Sequence, residues 1–355
     1  MSAASSAILF LEKVFLRPPK LPLRGVELFN FRLIEDFLAL GNSVALPCHR
    51  AWRGEIEARA FGANFRTIEV GSGELLSAWS IARRVPRHSI HALFLANVGN
   101  GLIPLLHVLR WRGAAKHLVL LAHREASPRF VRALKKWNPA VVGVNEQIAR
   151  PFRAAGFSPV AVDYGIMNAE RFVPAASHSS DRVRFVVLGA LENAWKGADT
   201  ALAAFGQLTP EIAARCELHL ASYLNPPANL PAGVTAHPWM PIEKVPEFLR
   251  SMDVMICPSR DEEVMRETFS QAIVQGMLTG LPILASELAI FREKLDAGGG
   301  CIFRDASELA LRMTELVNDA SLRAYRGAAG RATALERYCW DTKRFMRRHM
   351  DFAKP

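Results

Sequence analysis

Short apolar runs recur along the chain, separated by longer stretches in which apolar residues fall at helical spacing. Ile8–Leu11, Val44–Pro47, Thr67–Val70, Ala92–Ala96, Leu118–Ala122 and Ala140–Val144 predict strands in the first half. The pattern resumes with Val183–Leu188, Glu217–Ala221, Val254–Cys257 and Pro282–Ala285. Strands that alternate with helices must run parallel, because each crossover needs the length of a helix. Between the two series, the segment Pro174–Ser180 is small, polar and aperiodic, and it predicts a linker. The expectation is an α/β chain of two doubly wound domains, residues 1–174 and 181–335, with a last Arg- and Lys-rich helical pattern over Ala332–Met350 that supplies a terminal helix in 336–355. In such sheets ligands sit outside the carboxyl ends of the strands.

Composition agrees with this division. A chain of 355 residues, half of them apolar, is long enough for two cores. The five cysteines are scattered, without C-x-x-C spacing, which points away from a disulfide framework or a zinc site and toward a reduced, cytoplasmic setting. The first apolar run is broken by Glu12 and Lys13, too early for a signal-peptide core. His91–Leu109 contains Asn97, Gly99, Asn100, Gly101 and Pro104, which suit strand, loop and helix better than a membrane span.

Charge changes the picture in one half only. Residues 1–171 hold 23 Lys and Arg against 12 Asp and Glu, while 172–355 hold 21 against 22. Arg83, Arg84 and Arg87, then Arg110, Arg112 and Lys116, then Arg129, Arg132, Lys135 and Lys136 alternate with Trp111, Phe130 and Trp137. This suits an anionic membrane surface; a solvated basic face without a partner is the other reading. Nucleic acid is not expected, because no recognition motif is present and the aromatic residues form no evident stacking platform.

The densest chemistry lies in Pro258–Ser286. Glu267, Thr268, Phe269 and Ser270 precede Ala272, Ile273, Met277 and Leu278 at helical spacing, so a helix begins there and offers backbone N–H groups to an anion. Gly280 and Pro282 end it before a buried strand. Taken alone, Glu267 is equally a helix-capping carboxylate. The stretch resembles the C-terminal signature of the retaining family 4 glycosyltransferases, E-x7-E followed by a small-residue helix and G-x-P, with Gln275 in the second acidic position. The resemblance runs over nearly the whole chain. Arg24-Gly25-Val26-Glu27 is similar to the family's G-G-x-E loop, with arginine in place of one glycine. His123, after the strand Leu118–Ala122, stands where the family has a histidine near the donor sugar. Val141–Glu146 and Val162–Ile166, continuing through Glu170-Arg171-Phe172-Val173-Pro174, resemble the strand ends before the interdomain linker; Tyr164 replaces the usual asparagine and reads as drift at a turn. Gly189–Gly197 resembles the G-R-x4-K-G loop with one added residue, keeping Lys196 but placing Ala190 where the family has arginine. Gly233–Pro241 matches the strand and loop that meet the nucleotide base, where Trp239 either stacks on the base or packs in the core. Glu293 aligns with another acidic residue of the family and reads as structural.

The resemblance implies a GT-B fold, two facing Rossmann-like domains with an interdomain cleft and a last helix crossing back to the first. It implies transfer of a sugar from a nucleotide sugar to a saccharide or lipid-linked acceptor, with retention, in envelope or exopolysaccharide synthesis at the inner face of a membrane. Glu267, Lys196 and His123 are the implied catalytic residues. Gly189, Lys196, Trp239, Glu267, Thr268, Phe269, Ser270 and Gln275 are implied donor ligands, and Arg24, Gly25 and Asn97 are expected toward the acceptor. The departing phosphate itself would take the acceptor proton, so neither cofactor nor metal is expected. Arg260 or Arg266 are candidates to replace the missing arginine. The alternative is a sugar-binding or scaffold protein whose donor site has lost turnover through Ala190 and Gln275. No G-x-G-x-x-G, G-K-[ST], H-E-x-x-H, G-x-S-x-G or D-x-D signature competes, and Asp261-Glu262-Glu263 reads as an acidic loop.

Overall fold

Each apolar run forms a strand, and every strand joins a parallel sheet. In the first sheet β1 (Ala7–Leu11), β2 (Ser43–His49), β3 (Phe65–Val70), β4 (Ile90–Leu95), β5 (Ala115–Ala122), β6 (Ala140–Gly143) and β7 (Val160–Val162) lie in the order β3-β2-β1-β4-β5-β6-β7. In the second, β8 (Val183–Leu188), β9 (Cys216–Tyr223), β10 (Val234–Pro238), β11 (Val254–Cys257), β12 (Ile283–Ser286) and β13 (Gly300–Phe303) lie in the order β10-β9-β8-β11-β12-β13. This is a computed structural model and describes residues 7–20, 23, 25–71, 74–175, 182–261 and 267–350.

Central strands are largely apolar because helices cover both faces, as in β11, which is buried throughout, whereas the edge strand β3 mixes exposed and buried positions and β10 has none buried. The apolar-run criterion misses β7, β10 and β13 because all three are short and incompletely buried, and β10 is reached only through the resemblance of Gly233–Pro241. Both sheets reverse direction of winding beside their first strand, between β1 and β4 and between β8 and β11. These are the topological switch points, where loops diverge and leave space for a ligand.

The chain divides into two units, one running up to Tyr164 and resuming at Asp341, the other spanning Gly165–Trp340. The border therefore falls before Gly165, earlier than the expected linker near Pro174, of which residues 176–180 lie outside the described residues. The reason is long-range pairing within the second unit. Ile166 N–H donates to the Tyr338 carbonyl at 2.7 Å, and Trp340 N–H donates to the Ile166 carbonyl at 3.1 Å. A Cβ at position 165 would lie 2.4 Å from the Tyr338 oxygen, so only glycine permits this approach. Arg331 adds a hydrogen bond to the Phe172 carbonyl at 2.9 Å.

This pairing also splits the single terminal helix expected over Ala332–Met350. The structure has one helix at Ala320–Arg337 and another at Thr342–His349, the second capped by Asp341, which accepts from Arg344 N–H at 2.9 Å. The last helix folds with the first unit. Phe345 is buried against Phe94 at 6.1 Å, in a cluster where Phe94 stacks on Phe10 at 5.2 Å and meets Phe37 edge-on at 5.4 Å. Thr342 Oγ1 donates to Asp36 Oδ2 at 2.6 Å. His349, Arg344 and Arg348 converge on Asp163 at 3.1, 3.6 and 3.8 Å. Burial raises the Asp163 carboxyl, but the hydrogen bond and charge of His349, followed by the two arginines, outweigh it and hold the group below its ordinary value. Replacing Phe345→Ala removes an aromatic side chain from this core and is expected to lower stability by about 3–5 kcal/mol, read as a fall in the urea midpoint at constant slope.

Candidate active site

In the second unit the switch point is bridged by the loops leaving β8 and β11. After β8, Gly189–Asn193 leads to a 3-10 turn at Ala194–Lys196, and Gly197 follows with φ 72°. A Cβ at Gly197 would stand 2.0 Å from the Pro258 carbonyl oxygen, so glycine is required both by conformation and by contact with the loop after β11. Arg260 fastens the same two loops. Its N–H donates to the Trp195 carbonyl at 2.8 Å, and its guanidinium reaches the Ala194 carbonyl at 2.7 Å and Asp199 at 3.1 and 3.2 Å. Arg260 therefore serves as a staple of the loops and does not stand free as a substitute for the arginine missing at Ala190; Arg266 lies outside the described residues.

The closing of the loops brings Lys196 onto Glu267. Lys196 Nζ is 2.6 Å from Glu267 Oε2, with side-chain exposures of 18% and 9%. Ser259 Oγ donates to the same oxygen at 3.3 Å, and Glu267 N–H donates to Asp261 Oδ1 at 3.4 Å. The lysine stem passes Gly189, and its ammonium lies 4.2 Å over the Trp195 ring. Trp195 Nε1 is buried without a partner among the described residues. A paired cation and carboxylate, nearly out of water, form a site that can exchange partners with an anionic and hydroxylated ligand.

The helix after Glu267 differs from expectation. It starts at Gln271, because Ser270 takes a left-handed conformation of φ 57° and ψ 83° that ends the helical turn. Thr268, Phe269 and Ser270 thus belong to the approach loop, and the N-terminal amides begin one turn later than Glu267. The Phe269 side chain is buried against Tyr338 at 6.0 Å, so its contribution to a ligand is main-chain only. Gln275 lies on the second turn and is buried. Trp239 follows the edge strand β10, half-buried, with its N–H bonded to the Tyr223 carbonyl at 2.7 Å. Among the described residues no group of three or more His, Cys, Asp or Glu is arranged to hold a metal ion.

In the first unit the polar residues also gather at the switch point. Glu12 follows β1, Asn97 follows β4 and His123 follows β5, all three buried. Asn97 Oδ1 accepts from Val98 N–H at 2.9 Å. His123 meets Tyr164 edge-on at 5.0 Å and Phe29 at 5.8 Å. Tyr164 is therefore a wall of the histidine pocket and corrects the reading of drift at a turn. Burial, and then the charge of Arg124, lower His123 to about 3, which keeps the imidazole neutral, and its Nε2 lacks a partner among the described residues. Gly25 is the first residue of the helix Gly25–Ala39 instead of a loop residue before it, and Arg24 lies outside the described residues.

Sequence reading passed over Ser259, Trp195, Lys294 and Glu12. Glu12 left a usable signal, a carboxylate directly after a central strand. One of its oxygens accepts from Val14 N–H at 3.3 Å and the other is buried without a partner. Burial pushes Glu12 up to about 7, opposed by the Val14 hydrogen bond and the charge of Arg124, while Glu27 adds to the rise. The folded protein keeps a proton that the unfolded chain releases, so stability is present at low pH and is lost as pH rises toward 7. Glu12→Gln removes that loss; it is expected to stabilise the protein by roughly 2–3 kcal/mol at pH 8, with the difference shrinking toward zero near pH 5 in urea titrations.

Residues 182–319 match the family model of the glycosyl transferases group 1. No curated protein sequence matches the chain. Among solved structures, Anabaena HepE in complex with UDP and glucose has 18% identity and a TM-score of 0.73, with 98% of this chain and 99% of that one covered. Sucrose-phosphate synthase from Thermosynechococcus elongatus has 14% identity and a TM-score of 0.72, covering 99% of this chain and 100% of that one. WaaG, a glycosyltransferase involved in lipopolysaccharide biosynthesis, has 12% identity and a TM-score of 0.55 over 92% of this chain and 95% of that one. With residues 182–319 of the second unit matching the group 1 model and two Rossmann-like sheets shared with these GT-B proteins, the chain is a glycosyltransferase of GT-B fold.

Proposed function

We propose that the protein transfers a sugar from a nucleoside-diphosphate sugar to a saccharide or lipid-linked acceptor, with retention at the anomeric carbon, in envelope or exopolysaccharide synthesis. The observation that carries this reading is the Lys196–Glu267 pair across the β8/β11 switch point. When donor binds, Lys196 exchanges Glu267 for the diphosphate, Glu267 accepts hydrogen bonds from sugar hydroxyls, and the amides from Thr268 through the first turn at Gln271 face the phosphates. Gln275 binds the ribose and Trp239 lies beside the base. Within the first unit, Gly25 and Asn97 are assigned to the acceptor and neutral His123 to hydrogen bonding. The bond from the anomeric carbon to the β-phosphate oxygen breaks, the acceptor oxygen bonds to that carbon, and its proton passes to the departing phosphate. This scheme asks for neither metal nor cofactor, since Lys196 and backbone amides supply the positive potential.

UDP is the nucleotide to try first, because HepE was crystallised with it. UDP at about a hundred times its dissociation constant should stabilise the protein by about 2.7 kcal/mol, seen as a rise in melting temperature, with Lys196→Ala abolishing the rise. GDP and ADP serve as comparisons that identify the base. An unchanged melting temperature with all three would favour a sugar-binding or scaffold protein.

The basic half adds a location. Trp79 is 52% exposed and Trp111 73% exposed, on packed neighbouring helices that also carry Arg83, Arg84 and Arg110. Arg129, Arg132 and Lys136 line a groove with Ile103 and His107 on the next helix pair. Phe130 is fully buried, so of the aromatic residues interleaved with these charges Trp111 is the exposed one. No helix among the described residues is long and apolar enough to cross a membrane. We place this face on the anionic inner leaflet of a membrane, with the protein peripheral and cytoplasmic, and nucleic acid is not its partner. Sedimentation with vesicles containing phosphatidylglycerol should retain the protein at low salt. Trp79→Ala with Trp111→Ala should release it by about tenfold or more, and neutral vesicles should not bind it.

A further inference from the structure

Lys294, on the helix Ala289–Leu295, has only 2% of its surface exposed. Among the described residues its ammonium makes neither an ion pair nor a hydrogen bond. It lies instead 4.5 Å over the ring of Phe269 and 4.9 Å over that of Tyr338, which pack edge-on to one another. Burying an ammonium in this way is costly, and an unbranched apolar residue would fill the same volume without the cost. A cation kept there has to answer a nearby negative charge, and among the described residues the carboxylates beside it are Glu293, its neighbour on the same helix, and Glu267, two positions before the Phe269 ring on which the ammonium lies.

Glu267 needs such an answer only when donor is bound. In the empty site Lys196 neutralises it at 2.6 Å. A diphosphate draws Lys196 away and leaves a nearly buried carboxylate beside a second anion, a repulsion that grows as the local dielectric falls. We propose that Lys294 is a positioning residue, a standing counter-charge to Glu267 that releases Lys196 to the donor diphosphate. The aromatic faces hold the ammonium close without giving it a directional bond, so it supplies charge without capturing the Glu267 oxygens needed for sugar hydroxyls. It also supplies a second cation to a site whose resemblance to the family lacks arginine at Ala190. The inference rests on the nucleotide-sugar reading of the same site.

Titration separates the groups involved. Burial lowers Lys294 to about 8 while Glu293 and Glu267 oppose the shift, and burial raises the Tyr338 phenol to about 12, so Tyr338 stays neutral where Lys294 loses its charge. Calorimetric binding of UDP to the wild type, Lys294→Met, Glu267→Gln and the double variant provides the test. Lys294→Met should retain or raise the melting temperature of the ligand-free protein at pH 7, yet weaken UDP binding about tenfold. In the Glu267→Gln background the same change should cost nothing further. Between pH 7 and 9.5 the wild type should lose affinity and Glu267→Gln should not, an arm that needs no folded lysine variant. Equal UDP affinity of wild type and Lys294→Met, an equal loss in both backgrounds, or the same pH response in wild type and Glu267→Gln would overturn the proposal while leaving the donor site intact. A wild type that binds no nucleoside diphosphate would overturn the donor reading and this inference with it.

Discussion

A lysine and a glutamate from loops 71 positions apart meet at 2.6 Å, largely out of water, and their meeting depends on how closely the two loops approach. Gly197 allows the backbone contact with Pro258, and Arg260 ties both loops together through carbonyls and Asp199. The pair sits where the sheet order turns, so the fold delivers the loops to one place and the loop residues decide the chemistry. An ion pair in this setting is a poor stabiliser, since desolvation offsets its attraction. In the function proposed for the site, the pair is replaced by a ligand that offers an anion to the lysine and hydroxyls to the carboxylate.

The second unit surrounds that pair with unusual electrostatic company for a sheet protein. The fully buried Lys294 faces aromatic rings, and Trp195 carries an unpartnered indole N–H beside Lys196. The first unit repeats the theme with opposite polarity at its own switch point, where the Glu12 carboxyl and the His123 imidazole are buried with open valences. Polar groups left incomplete at the ends of central strands are costly to the fold, and the cost falls at positions where a hydroxylated ligand would complete them.

The sequence exposed what depends on local pattern. Central strands read clearly because residues such as Val254–Cys257 are apolar on both faces, and Lys196 and Glu267 read clearly because each follows a predicted strand within one loop. What escaped depends on distance along the chain. The pairing of Ile166 with Tyr338–Trp340 moved the unit border and broke the last helix, and the one local sign of the break in the Arg- and Lys-rich pattern through 332–350 is Asp341, an N-cap residue read as part of a continuous helix. Lys294 was hidden because Phe291-Arg292-Glu293-Lys294 resembles an ordinary charged helix face, and burial there comes from Tyr338, more than forty positions later. The expected start of the helix at Glu267 failed for a smaller reason, the left-handed backbone of Ser270.

The return of the chain at Asp341 has a consequence for synthesis. The aromatic cluster of the first unit is completed by Phe345, which follows the whole of the second unit in the chain. A nascent chain emerging from the ribosome therefore presents the whole of the second unit, Gly165–Trp340, before the first has received its last core side chain. The amino-terminal half, made first, lacks one of its core side chains until the helix after Asp341 is made, and until then it holds an unfilled apolar socket beside Phe94.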